Sequence, residues 1–336
     1  MNRFLSLIYK PIVLLLSLYF VLTTLSLKPE PQTPLEPDTQ KLALALFADV
    51  HMEGNNKARF DALARCFKNL NAWKDSTDAL VLLGDNTMNG QTGEHLFLYS
   101  MLEHVNPIAR YYTIVGNHDV GNDTKADFDE YAKRNLGFMQ TFNAGSPEHL
   151  YYADELNGYR LVFLAPDAPE SPHRHLSDEQ LAFLEAQLQA AAEQDQPVFV
   201  FNHYPANHMD SACYDRYIDL LNSYDKIFVI VGHMHSYVRY QTIPGSQDTP
   251  EIWVPCISML DNNEKVNDFT GRGFRMEVYA DKVVFRLVNY YRNEICEDSR
   301  TYEAERSYTL TGEPLEEESP WEPWEPWWPP IIADAG

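Results

Sequence analysis

Short apolar runs that break off into polar residues recur along this chain. Leu42-Ala-Leu-Ala-Leu-Phe-Ala leads into Asp49-Val50-His51, and Ala79-Leu-Val-Leu-Leu leads into Gly84-Asp85-Asn86. Tyr111-Tyr-Thr-Ile-Val115 leads into Gly116-Asn117-His118-Asp119. Pro197-Val-Phe-Val-Phe-Asn leads into His203, and Lys226-Ile-Phe-Val-Ile-Val into Gly232-His233-Met234-His235. Runs of this length, bounded by turn residues, predict buried strands. Between them, Lys57 to Trp73 carries Phe60, Leu63, Ala64, Phe67 and Leu70 at helical spacing, which predicts a helix packed on a sheet. Ser177-Asp-Glu-Gln180 is a capping box opening a helix with Leu181, Leu184 and Leu188 on one face. The strand–helix–strand alternation predicts βαβ units and a mostly parallel sheet. Further strands are expected at Tyr159–Ala165, ending near Asp167, and near 252–258, 274–279 and 283–290, the last two a hairpin around Ala280-Asp281-Lys282. Residues 120–150 are polar, with Gly121, Gly137 and Gly145, and read as an inserted loop or small helix lining a site.

The two ends depart from this pattern. Residues 1–27 open with Arg3 and Lys10 and run into an apolar stretch from Pro11 to Leu27, the form of a signal peptide or a signal anchor. The stretch is at the short end for a membrane span. On either reading the positive flank stays inside, so the rest is expected to be extracytoplasmic, secreted or membrane-anchored. Residues 28–40, rich in Pro and Glu, read as a linker, and the catalytic domain is expected over 41–310. The tail, 311–336, holds Pro320-Trp321-Glu-Pro323-Trp324-Glu-Pro326-Trp327. Proline every third residue imposes an extended form that stacks Trp321, Trp324 and Trp327 along one edge. It is read either as a tail folded loosely on its own domain or as an element docking on a partner or a membrane interface.

Composition narrows the partners. The formal charge is −23, from 49 acidic and 26 basic residues, which argues against nucleic acid because phosphate-backbone binding needs clustered Lys and Arg. Small phosphorylated substrates stay open, since bound cations can supply positive charge locally. Cys66, Cys213, Cys256 and Cys296 are widely spaced without a CxxC pair; this argues against a zinc cluster and leaves up to two disulfides, or four buried thiols. The sequon Asn122-Asp-Thr124 falls beside the strand ends, where a glycan would obstruct, and is read as coincidental.

The strand ends carry the chemistry. Residues two apart on an extended chain face one side, so Asp49 and His51 can grip one ion. A Gly at 116 lets the backbone turn sharply and come close to a ligand. Asn117, His118 and Asp119 then supply a neutral oxygen, an imidazole and a carboxylate able to orient it. In open α/β sheets ligands bind at the carboxyl ends of strands. Ends holding Asp49/His51, Asp85, Asn117/His118, His203 and His233/His235 are poorly explained by folding needs alone.

At these residues the chain resembles the calcineurin-like metallophosphoesterases, whose pattern is DxH, GD, GNH with Asp or Glu, His, and GHxH. All the blocks are present in order over residues 42–240, and His203-Tyr-Pro205 and Leu176-Ser-Asp-Glu-Gln-Leu match the family's usual surroundings. The resemblance implies an α/β, metallophosphoesterase-type layered fold: mixed β-sheets flanked by helices, with a dinuclear metal site at the strand C-terminal ends. It implies one ion held by Asp49, His51 and His235, a second held by Asn117, His203 and His233, and Asp85 bridging the two. Mixed imidazole and carboxylate ligands suit two divalent transition metal ions, Mn, Fe, Zn or Ni, better than Mg or Ca. The implied reaction is hydrolysis of phosphomonoesters or phosphodiesters, with a metal-bridging hydroxide attacking phosphorus in line and His118, oriented by Asp119, acting as general acid. A DxH first block, and no Tyr close after Asp85, set the chain apart from the purple acid phosphatase branch.

The alternative is a metal-poor protein-binding scaffold on the same fold, with the Trp-rich tail as its docking element; the full ligand set speaks against it. Expected partners are a small phosphorylated substrate, no nucleic acid, and a membrane contacted through residues 1–27 and the tail. Asp167, His173, His175 and His208 match no block and are read as ordinary loop residues, with a substrate-facing place as the alternative for His175 and His208. Substrate selectivity is expected from residues 86–105, 120–150, 204–216 and 236–270.

Overall fold

Strand β1 (Leu42–Phe47) is buried at every position, because its two faces feed two different cores. Leu42, Leu44 and Leu46 enter one core, and Ala45 and Phe47 the other. The computed structural model describes residues 2–24, 40–54, 56–121, 128–167, 174–235, 238–262 and 264–303, with the backbone alone for 2–7, 20–24, 297–299, 301 and 303. The linker over 28–39, the sequon at 122–124, His173 and the tail from 311 lie outside the described residues.

Two mixed six-stranded sheets face each other. In the first, β1 runs parallel to β2 (Ala79–Leu83), and β2 parallel to β3 (Tyr111–Ile114), with crossovers through α2 (Lys57–Leu70) and α3 (Thr92–His104). β12 (Arg272–Val278) pairs antiparallel with β1, and β13 (Lys282–Asn289) and β14 (Glu294–Glu303) extend that edge. The order is β14-β13-β12-β1-β2-β3. The second sheet has the order β4-β5-β6-β7-β9-β8. It is built from β4 (Tyr152–Leu156), β5 (Tyr159–Phe163), β6 (Val198–Asn202), β7 (Ile227–Val231), β8 (Arg239–Thr242) and β9 (Pro250–Trp253). Here β5, β6, β7 and β9 are parallel, with β4 and β8 antiparallel at the edges. A small hairpin, β10 (Leu260–Asp261) with β11 (Lys265–Val266), stands apart.

The inner faces of the two sheets share one core, in which Leu46, Val81, Phe163, Phe201, Phe228 and Phe274 meet. Helices α2 and α3 cover the outside of the first sheet through Leu63, Phe67, Leu98 and Leu102. Helices α5 (Asp178–Gln194) and α6 (Ser211–Leu221) cover the second through Leu181, Leu184, Leu188 and Tyr217. The expected mixed-sheet layering is present, and the expected hairpin around 280–282 joins β12 to β13. The single mostly parallel sheet is not: the parallel strands are divided between two sheets that bury each other's inner faces. The 120–150 insert holds a 15-residue helix, α4 (Phe128–Phe142). Cys66, Cys213 and Cys256 are buried free thiols, so the two disulfides that the count allows do not form.

The apolar N-terminal stretch forms α1 (Asn2–Thr24), laid across α3 and α4. Tyr9 stacks on Phe138 with centroids 4.4 Å apart, and Val13 and Ser17 are buried. Among the described residues, no helix is long and apolar enough to cross a membrane.

Candidate metal centre

The C-terminal ends of β1, β2, β6 and β7 and the turn after β3 converge, and the backbone there is bent on purpose. Asp49, His51, Asp85, His233 and His235 all take left-handed φ values, between 47° and 71°. Each such non-glycine residue costs on the order of 1 kcal/mol, so its surroundings must fix it. They do. The Cys256 thiol and the Ser258 hydroxyl both donate to the Asp49 carbonyl (3.1 and 3.3 Å), and the buried Arg59 guanidinium donates to the His51 carbonyl at 3.0 Å. Backbone bonds from Asp49 N to Gly84 O and from His51 N to Asp85 O tie the first two strand ends together. Two glycines are dictated by space. A Cβ on Gly116 would stand 2.3 Å from Asp85 Oδ1, and one on Gly84, at φ +84°, would stand 2.6 Å from His203 Nδ1.

The side chains gather into two groups. Asp49, His51, Asp85 and His235 bring one ligand atom each within 4.8 Å of the others, and so do Asp85, His203 and His233. Asp85 belongs to both. Within the groups, His51 Nε2 lies 3.0 Å from His235 Nε2, His235 Nε2 lies 3.3 Å from Asp49 Oδ1, and His203 Nε2 lies 3.2 Å from Asp85 Oδ2. Ligands about 2.0–2.2 Å from a common ion stand about 2.8–3.6 Å apart at octahedral or tetrahedral angles. Asp49 Oδ1, Asp85 Oδ2 and His203 Nε2 are buried without a hydrogen-bond partner, an expensive state unless a cation completes it. The residues present fit two divalent cations sharing Asp85. Asn117 sits in the same turn as His118, beside Asp85, which accepts from the His118 N–H at 2.8 Å.

The electrostatics agree with ligand duty. Burial, and then the neighbouring His235, hold His51 well below the ordinary imidazole range; burial and His203 do the same to His233. Both are thereby neutral, the form that binds metal. Burial opposes charging of His203 too, but Asp85 outweighs it and pushes His203 up to about 9. His235 is raised against its burial by Asp49. His203 Nδ1 is 2.8 Å from the Leu83 carbonyl, a contact that turns its Nε2 toward Asp85.

His118 lies at the rim, its ring 4.7 Å from that of His51. Its Nδ1 is 2.7 Å from the Met88 carbonyl. This corrects the expectation that Asp119 orients it. Asp119, fully buried, accepts instead from the backbone N–H of Asn86, Thr87 and Gly116 and from the Thr87 hydroxyl. Its carboxylate is spent on clamping the β2 exit loop to the β3 exit turn, because those N–H groups are buried and need an acceptor. Burial, then the charge of Asp85, push Asp119 up to about 6. Among the loop histidines, His208 reaches the centre, edge-on to His233 with centroids 5.4 Å apart. His175 lines a separate cleft with Asp178 and Arg216. Asp167 holds the N–H and hydroxyl of Ser177, the residue that caps α5.

The family model described as calcineurin-like phosphoesterase matches residues 42–237. A probable glycerophosphodiester phosphodiesterase GpdQ of Arcobacter nitrofigilis is 27% identical over 204 residues, 56% of this chain and 70% of the relative. The glycerophosphodiester phosphodiesterase GpdQ of Enterobacter lignolyticus is 27% identical over 217 residues, 60% and 73% of the two chains. A dimetal phosphatase of Danio rerio superposes with a TM-score of 0.57 at 14% identity, covering 81% of this chain and 100% of that one. A purple acid phosphatase from yellow lupin does so with 0.56 at 14%, covering 82% and 54%. At such identities the two structures speak for the fold alone.

Proposed function

The chain belongs to the calcineurin-like phosphoesterase family and is a phosphoesterase; on that premise we propose that it cleaves phosphodiesters of small alcohols, glycerophosphodiesters in the first instance, at a dinuclear centre. The sharing of Asp85 between the two ligand groups carries the reading, since a pair of cations a few ångströms apart repel each other unless a carboxylate lies between them. The names of the two curated relatives favour diesters over monoesters. Bound divalent cations supply Lewis-acid activation of water and neutralise the phosphoryl oxygens. The chain's own residues do the rest. Asp49 and Asp85 bring negative charge, and His51, His203, His233 and His235 neutral donors, so that the filled site keeps net positive charge to attract the anionic ester. His118 donates Nδ1–H to the Met88 carbonyl, which leaves Nε2 to carry a proton to the leaving alkoxide. His208, edge-on to His233, brings a further imidazole beside the centre.

Metal analysis together with a substrate panel tests this. The purified protein is expected to hold about two transition metals per chain, to lose activity to chelators, and to turn over glycerophosphodiesters faster than the matching monoesters. Asp85→Asn should lower both metal content and rate. Full turnover by metal-free protein would sink the dinuclear reading, and a preference for monoesters would sink the diester part.

A further inference from the structure

Among the described residues, the exposed large aliphatic side chains are Ile8, Ile12, Leu14, Leu15 and Leu18 on α1, and Val266 elsewhere. The concentration on one helix is the observation. The inner stripe of α1, with Tyr9, Val13 and Ser17, is taken up by the domain: Tyr9 stacks on Phe138, and the Ser17 hydroxyl meets His104 Nδ1. The outer side is left with Leu14, Leu15 and Leu18 at 63, 73 and 62% exposure. Soluble surfaces seldom leave an apolar patch of this kind uncovered.

Charge says what covers it. The chain as a whole carries −23, yet Asn2–Thr24 contains no Asp or Glu and does contain Arg3 and Lys10. Lys10 is exposed. An acidic protein that keeps its apolar helix free of carboxylates has a helix suited to an anionic surface, whereas a second copy of the same helix would bring like charges together. Among the described residues, α1 is not long and apolar enough to cross a bilayer. Its outer side is nevertheless apolar enough to lie in one.

We propose that α1 is retained and docks the domain on the surface of an anionic phospholipid bilayer, lying in the interface plane with Ile8, Ile12, Leu14, Leu15 and Leu18 in the headgroup–acyl boundary. Lys10 sits among the phosphates. Helix α4 touches both α1 and the turn carrying His118. On that turn Asn135 of α4 donates to the Asp119 carbonyl at 2.7 Å. The metal centre therefore works one helix away from the lipid surface.

The test is co-sedimentation of the full chain with vesicles of phosphatidylcholine, with and without phosphatidylglycerol, alongside turnover of a soluble diester. The wild type is expected to sediment with the anionic vesicles. The triple variant Leu14→Glu, Leu15→Glu, Leu18→Glu should lose that binding about tenfold or more while its turnover stays unchanged, because all three side chains face outward. Lys10→Glu should weaken binding to the anionic vesicles alone. Three results would overturn the proposal: equal sedimentation of the triple variant; a wild type that ignores vesicles but dimerises through these residues; or protein isolated from its own cells whose mass lacks residues 1–27. None of the three touches the phosphodiesterase reading, whose own test uses soluble substrate and metal content.

Discussion

A general acid must hold one nitrogen fixed and present the other to the leaving oxygen. In His118, the proposed general acid, Nδ1 is held by the Met88 carbonyl, and a carbonyl orients the ring without adding charge. General acids matter in proportion to the charge that builds on the leaving oxygen, typically about 10²–10⁴-fold. His118→Ala should therefore slow alkyl diesters by that order and nitrophenyl diesters much less, with both metals still bound. Asp119→Asn should behave differently: it disturbs the five hydrogen bonds that its carboxylate accepts in the loop, so it should lower stability and slow both ester types alike. Equal loss on the two esters in His118→Ala would leave that residue a positioning group. The six residues of the two side-chain groups were legible in the sequence because the side chains themselves, at strand ends, are the signal. The orienting role given to Asp119 was not, because the real partner of His118 is a backbone carbonyl, which leaves no residue signature. The same holds for Arg59, Cys256 and Ser258, which act on the carbonyls of His51 and Asp49 from distant segments.

At the scale of elements, the parallel strands could be read because each is an apolar run closed by a polar end. Helix α3 could not. It lies between the first sheet and α1, so it has no continuous polar stripe: His95 and Ser100 are buried beside Leu98 and Met101. The β4–β5 hairpin was missed although the chain carries a mark for it, Asn157-Gly158, with both residues at positive φ, the turn chemistry of a two-residue hairpin. Strands β12 and β13 show what pattern cannot announce. Arg275 and Arg286 stand directly opposite one another, and such like charges repel. Glu277 resolves this by accepting from Arg275 Nε and Arg286 Nε, each at 2.8 Å. Burial works against its ionisation, but the two arginines outweigh burial and hold the carboxyl below its ordinary 4.5. A carboxylate whose folded-state pKa is depressed stabilises the fold above its unfolded value and loses that contribution as pH falls through the folded one. Glu277→Gln should thus cost on the order of 3 kcal/mol at neutral pH, with the gap to wild type closing below about pH 4.5. Melting curves of the two proteins that fall in parallel from pH 7 to pH 3 would contradict this.

For the whole molecule, the question is where the catalytic domain ends, because the candidate ligands span only Asp49 to His235 while the chain continues to 336. The β12–β14 meander lies beyond every ligand, yet it forms half of the first sheet and pairs with β1, which carries Asp49 and His51 at its exit. Near its end Tyr302 is fully buried in the core between the sheets, 5.2 Å from Phe228 and 5.9 Å from Phe285, centroid to centroid. Phe228 belongs to β7, the strand that delivers His233. Tyr302 is thus tied through one ring to the strand under the metal centre, although no periodicity in the acidic run Glu294–Glu303 points to it. Deleting 304–336, Trp-rich tail included, should leave melting temperature, metal content and turnover of a soluble diester nearly unchanged. Tyr302→Ala should cost about 3–5 kcal/mol, as for other buried aromatics, and lower the melting temperature without removing a single ligand. The two variants separate a structural boundary from a catalytic one. If the truncation strips the metals, the segment after 303 is part of the fold that holds them; if Tyr302→Ala is silent, the meander's end is not what closes the core beneath β7.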